Sequence, residues 1–535
     1  MGWVNTFVPN HPKSNLSPQA QRGRKWVSDA VRNGEIFVTR ADKGGAILVM
    51  DYDTVVSSIE RELNDTNKYR IVSCEPEQHR QVTTKTVRTK VCQLQEENII
   101  TIEDREKITG LNSNGNMKHN PEYRPGDPKI YPLFKLHKLS AENIEEKRTP
   151  PARSVNNAKH GPLYRLEKWM SPYLTRISQA YCKEEFVKDT DHLLEQINQF
   201  NSELAETPKN KRQKFYLATL DVAALYPSIR PEEAMKALKE ACDQDITTSE
   251  EIKTALLEFS QLIFDHSYVK YKDKCYQSLV GIPTGGCTSR QTADCMLHKL
   301  IDSVKGDIPL WKFVKLFRRF IDDIFTVWYG TKRQFDMFVS TLNELSARFG
   351  IRFGEWSIGE SVNFLDVTLF IDQDGFIQYR LYRKPTDSRM YLKTHSFHPR
   401  HVFDSVAYSQ LHRVKRRNSD PVIEAEDLQQ LKSDLVKCGH KDKKIEELLN
   451  KLNGPKQQQP KKNEDVITLV VPYFQEIAEL KNVVQDLQED ICILAGQETK
   501  VLVAARKGQS IGNKVVKNNK LCETPAVAPN IAAQK

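Results

Sequence analysis

Residues 316–328 read LFRRFIDDIFTVW, so two adjacent aspartates, Asp322 and Asp323, stand in the middle of an apolar run. Apolar residues on both sides of a polar pair predict a strand, a tight turn and a second strand, because aspartate tolerates turn conformations. The simplest interpretation is an ordinary turn. Two neighbouring negative charges within an apolar hairpin nevertheless repel each other and are costly to bury unless a cation neutralises them. A hard, oxygen-binding cation such as Mg²⁺ suits this pair.

A third aspartate, Asp221, lies upstream within residues 215–229, which read FYLATLDVAALYPSI. The apolar start predicts a buried strand that ends at Asp221, and Pro231 suits the first residue of a helix that buries Ala234, Leu238 and Ala241. By itself, an aspartate at a strand-to-helix turn is more often a turn or capping residue than a ligand. Combined with the aspartate pair, it supplies the carboxylates that two Mg²⁺ ions need for nucleotidyl transfer.

A glycine-rich segment lies between these two, and residues 281–286 read GIPTGG. Such a segment suits a grip on a template. The order of the three segments is that of a polymerase.

The three segments resemble motifs A, B and C of reverse transcriptases and, within these, of the Penelope-like retroelements, which are relatives of telomerase. Further segments are similar to the same family: ADKGGA at 41–46, YPLFKLHK at 131–138, PPARSV at 150–155, NFLDV at 363–367 and YRKPT at 382–386. The resemblance covers nearly the whole chain, and the ordered set is far more specific than any one motif.

The resemblance implies an α+β right-hand polymerase with fingers, a palm built on an antiparallel sheet, and a helical thumb. It implies RNA-directed DNA synthesis from an RNA template, a DNA primer and dNTPs. Asp221 and Asp322 would bind both Mg²⁺ ions, with Asp323 in support and Mn²⁺ as the alternative ion.

Other site residues follow from the same resemblance. Tyr226 matches an aromatic gate that excludes a 2′-hydroxyl by its bulk, although a core tyrosine is an equal alternative from the residues alone. Lys135, Lys138 and Arg153 match positions that contact the incoming nucleotide or the template; without the family they would be ordinary surface charges. The template and primer grip would comprise Gly281, Pro283, Gly285 and Gly286.

The chain departs from the family pattern at several positions. Phe320 stands where most reverse transcriptases have tyrosine, and Phe134 stands where the family has proline. Cys287, Thr288 and Arg290 interrupt the sequence that is common after the motif B glycines. The chain contains no GIY or YIG tripeptide, so we expect either a member without the GIY-YIG endonuclease or a truncated product.

Composition is compatible with a nucleic-acid partner. The chain has 79 lysines and arginines against 70 acidic residues, a net charge of +9. Such a mild excess suits a polyanion without identifying one. The ten cysteines include no Cys-x-x-Cys pair, which argues against a zinc module or a disulfide framework. No apolar run is long enough to span a bilayer, so we expect an intracellular protein without membrane contact, and the resemblance implies a nuclear location.

We predict an N-terminal region at 1–117, fingers and palm at 129–395, a helical thumb-like domain at 396–520 and a disordered tail at 521–535. Leucine spacing around 428–435 and 445–452 predicts two amphipathic thumb helices, and Ile477, Leu480, Val484 and Leu487 predict another. A histidine series, His395-x-x-His398-x-x-His401, is better explained as a basic loop near nucleic acid than as a metal site.

Two alternatives to the reverse transcriptase stay open. The first is a non-catalytic, domesticated or decayed nucleic-acid-binding protein that keeps the polymerase fold. The second is an RNA-dependent RNA polymerase, which Tyr226 disfavours because that enzyme needs room for a 2′-hydroxyl.

Overall fold

The computed structural model describes residues 17–42, 47–111, 126–136, 139, 149–159, 161–385, 387, 389–396, 398–454, 465–472, 484 and 499–506. The chain divides into two compact units. The larger contains Ile36–Lys384 and Lys520–Lys535, and the smaller contains Met1–Glu35 and Pro385–Asn519. None of the helices that the structure describes is long and apolar enough to cross a membrane.

The larger unit combines helices with mainly antiparallel sheets, as predicted for an α+β protein. Its strands are β1 (Ile36–Arg40), β2 (Ile47–Asp51), β3 (Tyr69–Ile71), β4 (Lys129–Phe134), β5 (Ala152–Asn157), β6 (Tyr216–Val222), β7 (Tyr268–Tyr271), β8 (Lys274–Ser278), β9 (Val314–Phe320), β10 (Asp323–Trp328), β11 (Phe353–Gly359), β12 (Ser361–Phe364), β13 (Val367–Ile371) and β14 (Ile377–Leu381). Its helices are α2 (Tyr52–Leu63), α3 (Pro76–Glu96), α4 (Ile102–Thr109), α5 (Tyr164–Tyr181), α6 (Thr190–Ala205), α7 (Leu225–Ser228), α8 (Pro231–Gln244), α9 (Glu250–His266), α10 (Ser289–Lys305) and α11 (Lys332–Ser346). The numbering begins with α1 (Pro18–Asn33), which belongs to the smaller unit.

A four-stranded antiparallel sheet in the order β11-β6-β10-β9 is the centre of the larger unit. Successive side chains of a strand point to opposite faces. On one face, Leu220, Val222 and Ile324 join a core with apolar residues of helices α5, α8, α9, α10 and α11. On the other face, Leu217 and Phe325 join a second core with helix α6 and strands β12–β14. The sheet is therefore covered on both faces.

A five-stranded sheet in the order β3-β8-β7-β4-β5 forms a second layer of structure in the same unit. Ile130 and Phe134 of β4 pack with Val55 and Ile59 of α2 in a third core. The two-stranded β1–β2 hairpin contributes Phe37 to this core.

The smaller unit contains helix α1 (Pro18–Asn33) and three helices later in the chain, α12 (Arg400–Arg416), α13 (Pro421–Lys437) and α14 (Asp442–Asn453). It also contains a parallel pair of strands, β15 (Asp465–Pro472) and β16 (Thr499–Arg506), within the region that we predicted as helical. Apart from Val484, the helix predicted near Ile477 lies outside the described residues, as does the tail at 521–535.

Several local predictions are confirmed. Asp221 lies one residue before the end of β6, and α8 begins at Pro231 and buries Ala234, Leu238 and Ala241. The hairpin predicted around Asp322 is β9–β10 with a two-residue turn.

One capping prediction is wrong. The sequence Thr247-x-x-Glu250 has the pattern of a capping box, which predicts Thr247 as the cap of a helix, but Ser249 caps α9 and its side chain accepts from the Ile252 N–H. Thr247 instead donates its hydroxyl to Asp245 at 2.7 Å. The charged Asp245 carboxylate competes with the helix for the Thr247 hydroxyl, so Thr247 lies in the turn before α9.

Candidate functional site

Three aspartates meet at one end of the four-stranded sheet. Asp323 is the direct partner of Asp221 in the antiparallel β10–β6 pair. Directly opposed residues of such a pair have Cα atoms about 4.5–5.5 Å apart and side chains on the same face. The next residue, Val222, donates its N–H to the Asp322 carbonyl at 3.0 Å and so holds the hairpin turn against β6. The structure therefore brings the three aspartates that the sequence predicted as catalytic and metal-binding to one strand end through their backbones, although their carboxylate oxygens do not all lie within 4.8 Å of one another.

The turn that carries Asp322 has an unusual backbone. Ile321 precedes Asp322 and has a φ of 57°, in the left-handed region. This region is unfavourable for β-branched residues, and such strain persists only where surrounding contacts impose it. One of these contacts is a hydrogen bond of 3.1 Å from Arg319 Nη1 to the Ile321 carbonyl.

Arg319 is the most deeply buried charge near the hairpin, with 1% of its surface exposed. Its guanidinium pairs with Glu185 at 2.8 Å and with Asp294 of α10 at 2.9 Å. Burial lowers the pKa of Arg319, but the two facing carboxylates more than reverse this change, so the group stays charged. Burial raises the pKa of Glu185, and Arg319 together with His298 outweighs that effect, so its pKa is lowered. The three groups tie the hairpin to α10.

Sequence reasoning did not identify this ion cluster. None of its three members, Arg319, Asp294 and Glu185, was predicted as a site residue. A signal was available in the sequence, because an arginine inside an apolar strand requires buried acidic partners.

Cys182, Glu185 and His298 form a group that could hold a metal ion, with candidate ligand atoms within 4.8 Å of one another. However, Glu185 Oε1 already accepts hydrogen bonds from Arg319 Nε and Nη2 at 2.9 and 2.8 Å. A second cation beside this guanidinium would be repelled, so we assign the group to support of the hairpin. In the part of the chain that the structure describes, His395, His398 and His401 do not form such a group.

Tyr226 lies on the single-turn helix α7 and is half-buried. Burial raises the pKa of its phenol to about 12, and the carboxylates of Asp294 and Asp322 add to the rise. Arg290 and Arg153 oppose it. Tyr226 therefore lies within electrostatic range of a predicted metal ligand and two guanidiniums, and it also packs against the first core. Its role as a nucleotide gate stays a prediction.

The glycine-rich segment begins against the segment that carries Tyr226. Gly281 has a φ of 86°, and a Cβ atom there would lie 2.9 Å from the Pro227 Cα. Ile282 donates its N–H to the Tyr226 carbonyl at 2.9 Å. Glycine is required at this position both by the backbone conformation and by the close approach of the two segments.

The same segment then contacts strand β5. Thr284 accepts the Asn156 N–H at 3.1 Å and donates its hydroxyl to the Ser154 carbonyl at 3.2 Å. A Cβ atom on Gly285 would lie 2.1 Å from the Asn156 carbonyl oxygen, so only glycine fits there. Pro283 stands between these contacts and accepts a hydrogen bond from the Gly286 N–H at 3.1 Å.

A buried glutamate, Glu167, supports the end of the segment. Its carboxylate accepts the backbone N–H groups of Cys287 and Thr288 at the start of α10. Burial raises the Glu167 pKa to about 7, although these two hydrogen bonds oppose the rise. A Cβ on Gly286 would lie 2.9 Å from this carboxylate. No sequence pattern pointed to Glu167, which lies on α5, far from the motif.

Two departures from the family pattern contact each other. The Arg290 guanidinium lies 5.1 Å from the centre of the Phe320 ring, a cation–π distance. Arg290 also approaches Asp294 at 3.6 Å. Phe320 pairs with Asp323 across the hairpin, so this contact lies beside the carboxylates.

The structure describes two of the three cations that the sequence predicted as nucleotide-binding, Arg153 and Lys135. Arg153, on β5, is half-exposed and approaches the buried carboxylate of Asp42 at 3.8 Å. Asp42 also donates its backbone N–H to the Phe134 carbonyl at 2.9 Å, which joins the N-terminal motif to β4. Lys135 follows β4 with a partly buried side chain. Lys138 lies outside the described residues, as do residues 43–46 of the N-terminal motif.

Comparison with known proteins gives one family match, an animal helix-turn-helix domain at residues 390–450. No curated protein matches the chain in sequence. Among solved structures, the chain is similar to telomerase from Candida albicans in complex with a TWJ fragment of telomeric RNA, with 12% identity, coverage of 95% of this chain and 73% of that chain, and a TM-score of 0.48.

Two structures from Candida tropicalis are also similar. The apo telomerase has 10% identity, coverage of 91% of this chain and 72% of that chain, and a TM-score of 0.43. The apo telomerase truncated from its C-terminal domain has 14% identity, coverage of 64% of this chain and 63% of that chain, and a TM-score of 0.40. The chain thus spans less than two thirds of that truncated structure.

Proposed function

We propose that the protein is an RNA-directed DNA polymerase, a reverse transcriptase of a Penelope-like retroelement that acts in the nucleus. One observation carries the proposal: Asp221 and Asp323 are direct partners across the β6–β10 pair, and the turn residue Asp322 is bonded to the same strand end. Three aspartates at one sheet end destabilise the fold, because like charges repel, so their presence is better explained by a function than by stability.

The chemistry of the three carboxylates supports a pair of Mg²⁺ ions as the proposed cofactor. Carboxylate oxygens are the ligands that Mg²⁺ prefers, and Asp221 and Asp322 would hold both ions, with Asp323 in support. When bound, the ions would lower the pKa of the primer 3′-hydroxyl and neutralise charge on the leaving pyrophosphate. The chain itself orients these ligands through the β6–β10 register and through the contact of Arg319 with the Ile321 carbonyl.

Other residues would position the substrates. The Tyr226 ring would occupy the space beside the sugar and exclude a 2′-hydroxyl, so that dNTPs are favoured. Arg153, Lys135 and Lys138 would contact triphosphate or template phosphates, where guanidinium groups bind two oxygens and ammonium groups act as point charges. The segment Gly281–Gly286, held against β5, would grip the RNA template and DNA primer.

The architecture supports a right-hand polymerase. In this proposal the four-stranded sheet with its helices is the palm, the five-stranded sheet belongs to the fingers, and the helices α12–α14 belong to the thumb. The predicted domain limits remain part of the proposal.

The test is primer extension on poly(rA) with oligo(dT), comparing dTTP with UTP in Mg²⁺. Wild type should incorporate dTTP in preference to UTP. Asp221→Asn and Asp322→Asn should each abolish extension while primer–template binding persists, because the lost ligands hold the ions that stabilise charge in the transition state and do not hold the duplex. Asp243→Asn, an exposed aspartate of α8, is the matched control and should extend normally.

Each alternative function predicts a different result in the primer-extension assay. A non-catalytic nucleic-acid-binding protein would bind primer–template without extension in wild type. An RNA polymerase would prefer UTP. Extension by either aspartate variant would contradict the two-metal assignment.

A further inference from the structure

Asp42 carries a buried carboxylate two residues after strand β1. Its side chain is 8% exposed, and its Oδ2 atom has no hydrogen-bond partner in the part of the chain that the structure describes. A buried carboxylate oxygen that accepts no hydrogen bond lowers the stability of a protein. Such a group in a native fold calls for an explanation other than stability.

The main chain fixes Asp42 beside strand β5. The Asp42 N–H group donates to the Phe134 carbonyl, at the end of β4, at 2.9 Å. In the antiparallel β4–β5 pair, Leu133 is the direct partner of Arg153, and Phe134 is the partner of Ala152. The hydrogen bond to Phe134 therefore brings Asp42 next to Arg153 through the backbone.

The Arg153 side chain faces this carboxylate without being enclosed by it. The distance from Arg153 Nη2 to Asp42 Oδ2 is 3.8 Å, which is an ion-pair distance but is too long for a hydrogen bond. The Arg153 side chain is 45% exposed, so its guanidinium reaches solvent from this position. Because a guanidinium has five N–H donors in a planar fork, the same group can bind a second anion.

Arg153 also lies close to the proposed nucleotide site. Its positive charge opposes the rise in the pKa of the Tyr226 phenol. The next residue, Ser154, accepts the Thr284 hydroxyl at its carbonyl at 3.2 Å, which holds the glycine-rich segment against β5 at this point. Arg153 is therefore within electrostatic range of the proposed nucleotide gate while it pairs with the buried carboxylate of Asp42.

We propose that Asp42 is a positioning residue for the incoming nucleotide: its carboxylate holds the Arg153 guanidinium in the orientation that binds the triphosphate. This inference rests on the proposed function, and it gives the N-terminal motif at 41–46 a part in that function through Asp42. An arginine side chain has many rotamers, and ordering them on binding costs entropy. A carboxylate that already orders the side chain lowers this cost, so triphosphate binding is favoured.

The test measures dTTP binding without chemistry. The full-length chain is bound to poly(rA) and an oligo(dT) primer that ends in a dideoxynucleotide, and dTTP is titrated by calorimetry in Mg²⁺. The variants are Asp42→Asn, Asp42→Glu, Arg153→Gln, and Asp42→Asn combined with Arg153→Gln. The matched control is Asp53→Asn, an exposed aspartate in the first turn of α2. All titrations are made below the lowest thermal midpoint of the set, so that each variant is folded.

Arg153→Gln should raise the Kd for dTTP about tenfold, since a charge-assisted hydrogen bond to phosphate is lost. Asp42→Asn should raise it about fivefold, because the guanidinium must then be ordered on binding. Asp42→Glu keeps the negative charge and should stay within about twofold of wild type, as should Asp53→Asn. The double variant should match Arg153→Gln within about twofold, because Asp42 acts through the guanidinium. In extension of a normal primer, Asp42→Asn should raise the KM for dTTP by the same factor while kcat stays within about twofold of wild type.

Four results would overturn the proposal. Losses that multiply to about fiftyfold in the double variant would show that Asp42 acts independently of Arg153. Unchanged or tighter dTTP binding by Asp42→Asn would show that the carboxylate does not assist the guanidinium. Equal losses in Asp42→Asn and Asp42→Glu, or a lower kcat at unchanged KM, would assign Asp42 to a structural role. Absence of dTTP binding in wild type would remove the nucleotide site.

The proposed function fails in a different way. If wild type binds dTTP and the variants follow the expected order, but wild type does not extend a normal primer, the role of Asp42 in positioning Arg153 is supported and the polymerase assignment is contradicted.

Discussion

The guanidinium of Arg319 donates to the carboxylate of Asp294 at 2.9 Å, and this bond joins the hairpin of Asp322 to the helix that follows the glycine-rich segment. The same guanidinium nitrogen bonds the Ile321 carbonyl at 3.1 Å. One buried cation therefore links the two motifs through residues that lie 25 positions apart in the sequence, and it holds a strained turn in place.

Arg319→Gln should destabilise the larger unit by about 3–5 kcal/mol, because it leaves Glu185 and Asp294 buried without their cation. Denaturant unfolding measures this loss. Arg333→Gln, an exposed arginine of α11, is the control and should change stability by less than about 0.5 kcal/mol. Addition of Asp294→Asn to Arg319→Gln should restore part of the stability, and strictly additive losses would contradict the ion cluster.

Tyr226→Ala should raise the incorporation of UTP relative to dTTP, because loss of the ring opens space beside the sugar. Tyr226→Phe keeps the ring and should keep the wild-type ratio. Steady-state kinetics with both nucleotides measure the effect. An unchanged ratio in a folded Tyr226→Ala variant would make Tyr226 a core residue.

Gly285→Ala should displace the glycine-rich segment from β5, since the new Cβ would lie 2.1 Å from the Asn156 carbonyl oxygen. This oxygen belongs to the backbone and cannot move aside as a flexible side chain could. Overpacking of this kind costs about 1–3 kcal/mol, and we expect weaker primer–template binding as well. Gly306→Ala is the control, because nothing lies within 4 Å of the Cβ added there. Equal thermal midpoints and affinities for both variants would contradict the close packing at Gly285.

Glu167 should make stability depend on pH. Its pKa is raised from 4.5 to about 7 in the folded chain, so the folded state binds more protons than the unfolded state between these values. The contribution of Glu167 to stability is therefore largest below about pH 4.5 and is lost as the pH rises to about 7. Glu167→Gln removes this titration.

As the pH increases from 5 to 8, the thermal midpoint of wild type should fall relative to that of Glu167→Gln. The corresponding loss of unfolding free energy in wild type should be on the order of a few kcal/mol at pH 8. Parallel pH profiles for the two proteins would show that Glu167 does not titrate in this range.

Local patterns in the sequence were sufficient for the elements of the site. The apolar run around Asp322 predicted the β9–β10 hairpin, and Pro231 marked the start of α8, because strand propensity, turn preference and the fixed φ of proline act between near neighbours. The same patterns failed for the start of α9, where the competing side-chain acceptor Asp245 decided the turn.

By itself, the sequence determined which segments form the hairpin, the strand of Asp221 and the glycine-rich turn, since these depend on local conformation and apolar spacing. Only the tertiary structure decided that Asp323 faces Asp221, that Arg319 binds Glu185 and Asp294, and that Glu167 supports the start of α10. Strand register and buried charge pairing depend on residues distant in sequence, and their energies arise only when packing removes the groups from water.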